Sequence, residues 1–161
     1  MGNATLADIA EYHNDVLASL RLYFSVGRRP GEIAPELTAR IEETDLRSAF
    51  ALLTRLEAAF RMDYEYRCEK KKKDDLSRAL REIYKRHGIM ASLSNEIFEA
   101  WKQNSTGTGQ IIGDLRGAFR YRDWFAHGRY REPKLGRKYD YSYVFLLAEN
   151  VLNAFPFYQR D

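Results

Sequence analysis

The sequence predicts an all-α fold, a single-domain bundle of about five to six helices. Three observations lead there. Apolar residues recur at helical spacing through most of the 161 residues. No segment alternates long enough to make a strand with a matching partner, TGTGQIIG being too short. No unit repeats at a solenoid period. The chain is 45% hydrophobic and 14% aromatic with a net charge of +3, which is too apolar for a disordered tail, and its length suits one core. Nowhere do about 18 apolar residues run together, so no membrane span is expected. A single cysteine, Cys68, excludes an internal disulfide framework and a Cys-rich zinc site. The start, MGNATLADIAEYHND, has no signal-peptide run, and Leu6 stands where a myristoylation signal wants Ser or Thr. A cytoplasmic globule is the expectation.

The elements follow in order. Leu6, Ile9, Ala10, Val16, Leu17, Leu20 and Phe24 keep a period near 3.6, and Gly27 can end that helix. GRRPGEIAP reads as a loop followed by a short helix around Glu36–Glu43. Residues 1–44 are therefore set apart as a candidate N-terminal addition to the domain. Asp45 can cap a long helix carrying Leu46, Phe50, Leu53, Leu56, Phe60 and Tyr64, which runs out into Lys70–Lys73. Asp74 or Asp75 starts the next helix, ending at His87-Gly88, and a short helix spans about Ser94–Lys102. NSTGTG separates it from a helix over Thr108–Ala126. After a basic loop, Tyr141–Phe155 is apolar on nearly every side and is expected at the centre of the bundle.

Charge is unevenly spread. Residues 111–140 hold eight cations against four acids, an excess of four, so the rest of the chain carries −1 of the overall +3. Arg116, Arg120, Arg129, Arg131, Lys134, Arg137 and Lys138 are interleaved there with Tyr130 and other aromatics. That mixture suits a phosphate backbone and stacked bases. A cationic loop facing solvent explains the same composition.

The helix over Thr108–Ala126 carries the sharpest signal. At about 100° per residue with Ile111 as zero, Phe125, Ala118, Leu115, Ala126, Phe119 and Ile112 fill an arc from about −40° to +100°. Arg122 lies at about +20°, in the middle of that arc. Its charge must point into the bundle or into another chain, and there it needs a partner. Asp123 and His127 are four apart, so the carboxylate can reach and orient the ring. Gly128 then closes the helix, leaving His127 where the dipole favours a cation and where proton exchange near neutral pH is within its range. Arg122 and His127 are five apart, about 140° on an ideal helix. Their convergence calls for a distorted last turn or for a two-fold mate burying the apolar arc, which makes a homodimer with a composite site the favoured arrangement.

Arg122-Asp-Trp-Phe-Ala-His127, with a polar residue directly after the arginine, resembles the Arg-x(4–6)-His signature of HEPN domains. The setting is similar too: the end of one helix, a loop, then a final apolar helix. Over most of its length the chain looks like an all-α HEPN domain. The resemblance implies a metal-independent RNA endonuclease, often the toxin of a toxin–antitoxin or other defence system, with RNA and an antitoxin protein as partners and with no metal or cofactor. Other members of the family are non-catalytic and bind a nucleotide, RNA or a partner protein. Many catalytic members add an acid from an earlier helix. Here Glu57 falls within the apolar arc of the Asp45 helix and is expected to face Arg122; Asp63, at the edge of that arc, is the second candidate. A purely structural buried ion pair accounts for Glu57 equally well.

The chemistry needs no family. Cutting RNA without metal requires the 2′-OH deprotonated, the phosphorane charge neutralised and the leaving 5′-oxygen protonated. A histidine transfers protons near neutral pH, and an always-charged arginine forks onto phosphate oxygens. Catalysis is therefore assigned to Arg122 and His127, with Asp123 to orient the ring and with Glu57 as the acid that the resemblance implies. RNA contact is assigned to Arg116, Arg120, Arg129, Tyr130, Arg131, Lys134, Arg137 and Lys138. Elsewhere, His13 on an apolar face reads as a hydrogen-bonded core histidine rather than a metal ligand. Arg67 reads as the surface i,i+4 partner of Asp63, and Cys68, beside Arg67 and Lys70, as a somewhat acidified thiol.

Overall fold

The computed structural model describes residues 4–27, 29–130, 134 and 136–158, with backbone only at 30, 32 and 33. Six α-helices make an all-α bundle: α1 (Leu6–Ser25), α2 (Pro30–Glu69), α3 (Asp75–His87), α4 (Phe98–Asn104), α5 (Gly109–Ala126) and α6 (Tyr141–Ala154). Among the described residues there is no strand. Helix starts follow the capping rules. Thr5 and Asp8 form a reciprocal capping box at α1. Asp74 accepts the Ser77 N–H at 2.9 Å at α3, and Asp140 accepts the Tyr143 N–H at 2.9 Å at α6.

The main departure from expectation lies between residues 30 and 45. The segment expected as a loop, a short helix and an Asp45 cap is the first part of a single 40-residue helix. Pro30 occupies its first position, where the missing N–H costs nothing. Pro35 comes in the second turn and removes only the bond that would have reached the Gly31 carbonyl, on an exposed stretch where water can serve that oxygen. Asp45 caps nothing. It sits mid-helix with Oδ1 3.5 Å from His13 Nε2. The boundary drawn at 44 thus falls inside α2.

At 1.5 Å per residue α2 is about 60 Å long, and it packs against α1, α3, α5 and α6. One hydrophobic core runs along its second half. There Phe60 meets Phe98, Phe155 and Phe157 edge-on, with Trp101 fully buried beside them. The segment expected as a helix over Ser94–Lys102 is a wide turn over Leu93–Ile97 followed by the shorter α4. α6 is less central than its composition suggests. Val144, Leu147, Ala148 and Val151 are buried, but Leu146 and Leu152 lie 55% and 36% exposed. α5 buries Ile112, Leu115, Ala118 and Phe119 against the chain's own helices. The chain itself thus covers part of the apolar arc, while Ile111 and Phe125 are half-buried and Ala126 is exposed.

Candidate functional site

The site is built where the C-terminal half of α5 lies across α2. Arg122 points inward, as its place on the apolar arc requires. Its Nη2 donates to Glu57 Oε2 at 2.6 Å, with both side chains about one-fifth exposed (23% and 22%). The second Glu57 oxygen accepts from Arg61 Nε at 2.9 Å, and Arg61 Nη1 donates to the Ala91 carbonyl at 3.3 Å. One carboxylate thus bridges two guanidinium groups. The Arg122 guanidinium also lies 5.2 Å from the Phe119 ring centroid. Its Nε is buried without a hydrogen bond, the Asp123 carboxylate at 3.4 Å being close enough to pair but not aligned to accept.

Asp123 therefore leans towards Arg122, and among the described residues no hydrogen bond joins it to the His127 ring. His127 closes α5: its N–H donates to the Asp123 carbonyl at 2.9 Å, and its side chain is exposed. Gly128 (φ 78°) and Arg129 (φ 61°) both adopt left-handed backbone, and the Arg129 N–H returns to the Trp124 carbonyl at 2.9 Å. A residue with a Cβ is held there at a cost of about 1–2 kcal/mol. The Arg129 side chain offsets it, forking onto both oxygens of Glu43 at 2.7 Å each and covering the Phe125 ring at 4.6 Å. Hydrogen bonds from Arg129 and from Arg47 hold the Glu43 carboxyl well below its usual range, at about 2.

These contacts form a ladder. Glu43, Phe50 and Glu57 follow at seven-residue intervals on α2, so all three face one side. Opposite them, in antiparallel order, stand Arg129, Phe125 and Arg122, the Phe50 and Phe125 centroids 5.0 Å apart. Glu43 escaped the sequence reading because it lay in the segment taken for a separate helix. The heptad it shares with Phe50 and Glu57 is the signal that would have found it.

The other acid candidate sits elsewhere. Asp63 is buried and pairs with Arg67 Nε at 2.6 Å, its second oxygen accepting the Tyr158 N–H at 2.8 Å. Arg67 is not on the surface. It is 3% exposed and also reaches Asp74 and Ser77 at 3.1 Å each and the Pro156 carbonyl at 3.0 Å, over the rings of Trp101 and Tyr158. This cluster fastens the chain after α6 to α2 and the start of α3, and Asp63 does not face Arg122. Cys68 is also not acidified; burial pushes its thiol up to about 11. His13 is a hydrogen-bonded core residue, with Nδ1 2.9 Å from Ser48 Oγ and its ring stacked 3.6 Å from that of Tyr141.

The residues assigned to RNA contact divide into two groups. Arg116 is tied to Glu99 at 2.7 Å and to the Ser94 carbonyl at 3.3 Å, Arg129 to Glu43, and Arg137 to the Tyr143 hydroxyl and, at 3.8 Å, to Asp114. Arg120, Tyr130, Lys134 and Lys138 are exposed. Arg131 lies outside the described residues. The basic loop is anchored at its far end by Tyr139, buried over the α5 backbone at Gly117 and stacked on Tyr121 at 5.9 Å. Among the described residues no three His, Cys, Asp or Glu side chains cluster as a metal site would need. No family model matches the chain, and no curated protein or solved structure matches it.

Proposed function

We propose that the chain is a metal-independent endoribonuclease of the HEPN type, acting on RNA as the toxin of a toxin–antitoxin or other defence system, cytoplasmic and homodimeric. The observation that carries this reading is Arg122, a cation drawn into an apolar seam and held there by Glu57 at 2.6 Å, on the helix that His127 terminates. Glu57 aims the guanidinium without using it up, because one of its five N–H donors meets the carboxylate and others remain for a phosphate. Exposed His127 takes the proton from the 2′-OH as that oxygen attacks phosphorus. The P–O5′ bond breaks, and a protonated imidazole, supplied by His127 of a second copy, returns a proton to the leaving oxygen. Arg122 neutralises the charge on the phosphorane between these steps. The products are a 2′,3′-cyclic phosphate and a 5′-OH, and DNA, lacking the 2′-OH, is not cut.

A second reading has its own support. The hydrogen bonds already made by Arg122 and Arg129 within the chain are those a non-catalytic helical module would keep, leaving exposed Arg120, Tyr130, Lys134 and Lys138, among the described residues of the basic segment, to face a nucleotide, RNA or partner protein. One experiment separates the two: incubation of a short RNA with wild-type, His127→Ala and Arg122→Ala proteins, with and without EDTA. The nuclease reading expects cleavage by wild type, a loss of at least about 100-fold in each variant, and no effect of EDTA. RNA left whole by the wild-type protein supports the binding module.

A further inference from the structure

We propose that Glu43 is a positioning residue for His127, acting through Arg129. Its role in cleavage rests on the nuclease reading, but the positioning itself does not. The argument starts from the ladder. Phe125 against Phe50 and Arg122 against Glu57 hold α5 to α2 as far as residue 125. His127 comes two residues later, where the helix has ended, and its ring has no side-chain hydrogen bond among the described residues. The end of α5 holds its backbone, the N–H donating to the Asp123 carbonyl at 2.9 Å, so any further side-chain restraint comes from the residues that follow. There the chain makes two consecutive left-handed residues, Gly128 and Arg129, the second of which has a Cβ and so is disfavoured in that conformation. The turn is kept because the Arg129 guanidinium is engaged at both terminal nitrogens by Glu43 at 2.7 Å and lies over Phe125 at 4.6 Å. His127 is thus held between two clamped points, and α2 supplies the carboxylate at each.

This assignment moves Arg129 from the RNA-contacting set to the scaffold of the site. Both of its terminal nitrogens already have a carboxylate partner, so its removal is expected to alter where His127 stands rather than how strongly RNA adheres. Glu43 also accepts from Arg47 Nε at 2.8 Å, which keeps the carboxylate turned towards the loop.

Glu43→Gln tests the proposal, because it keeps the shape and removes the charge. Two readouts need no catalysis: hydrogen exchange of the Arg129 amide, which donates to the Trp124 carbonyl at 2.9 Å, and the His127 ring signals in NMR. The proposal expects the Arg129 amide to exchange at least tenfold faster and the His127 signals to shift or broaden, while the amides of α2 and α6 stay protected. Unchanged exchange and unchanged His127 signals overturn it, whether or not the protein cuts RNA. If wild type cuts RNA, Glu43→Gln should lower kcat about tenfold or more with KM little changed, and the swapped pair Glu43→Arg with Arg129→Glu should recover kcat. A rise in KM alone, not recovered by the swap, would return Arg129 to the RNA-binding set and overturn the proposal. Should wild type cut nothing while the exchange and ring signals respond as expected, positioning stands and the nuclease reading falls.

Discussion

Glu57 and Asp63 stand six residues apart on one helix, and they differ in what surrounds them. Asp63 is 1% exposed, with both oxygens committed to Arg67 and the Tyr158 N–H. Asp63→Ala leaves a guanidinium buried without its main partner, so a loss of about 3–5 kcal/mol is expected in urea denaturation. Glu57 keeps 22% of its side chain in solvent, and its two arginines are also partly hydrated, so Glu57→Gln should cost under about 2 kcal/mol in the same measurement. A stability loss at Glu57 as large as at Asp63 would mean that its bridge serves the fold first. The contrast also shows what single residues reveal in a sequence. That Glu57 faces Arg122 was legible, since a charge on one apolar arc requires a counter-charge on the arc that covers it. That Asp63 and Arg67 are buried was not, because an i,i+4 acid–base pair looks alike on a surface and in a core until the chain that covers it is known, and here Pro156 and Tyr158, some 90 residues on, do the covering.

Among the elements, α5 and the loop after it come closest at Gly117. A Cβ on Gly117 would overlap the Tyr139 hydroxyl, with Cζ 2.9 Å away. Replacing glycine by alanine inside a helix normally gains about 0.5–1 kcal/mol. Here the sign should reverse. Tyr139 is 5% exposed and packed against Tyr121 and Tyr143, so the ring cannot turn aside without disturbing its neighbours. Gly117→Ala is expected to lower stability by about 1–3 kcal/mol and to speed proteolysis between residues 128 and 140, with partial recovery on adding Tyr139→Phe. Equal or higher stability in Gly117→Ala would show that Tyr139 is not a fixed anchor. Element starts were readable where Thr5, Asp74 and Asp140 cap them, but not at Ser92, whose side chain opens the Leu93–Ile97 turn ahead of the expected start at Ser94. They were misread at residues 30–45, where Gly27, Pro30, Gly31 and Pro35 resemble loop punctuation although a helix can begin on the first proline and absorb the second.

Across the whole molecule, the attachment of α1 is expected to depend on pH through His13. Burial pushes the ring below its ordinary value of 6.5, against the opposing pull of Asp45, and Ser48 and Tyr141 complete its surroundings from α2 and α6. The unfolded chain takes the proton more readily than the folded one, so the contribution is fully present above about 6.5 and is lost as pH falls through the lower folded value. Tm should therefore decline from pH 7 to pH 5, and His13→Gln should flatten that slope. A slope that His13→Gln leaves unchanged would place the sensitivity elsewhere. The all-α class was readable from periodicity alone. The arrangement was not: exposed Leu146 and Leu152 have the same composition as their buried neighbours, and only packing separates them.

A rod that crosses the entire protein in one piece has a mechanical corollary. α2 runs unbroken from Glu43 to Glu57, and the His13 partners Asp45 and Ser48 lie between them, so the α1 contact and both carboxylates share one helical backbone. A backbone shift at the α1 side would pass along that one helix towards both acids, and through them to Arg129 and Arg122. Strain entering through the stretch beyond Gly128 would meet the Arg129–Glu43 pair before the deeper Arg122–Glu57 pair.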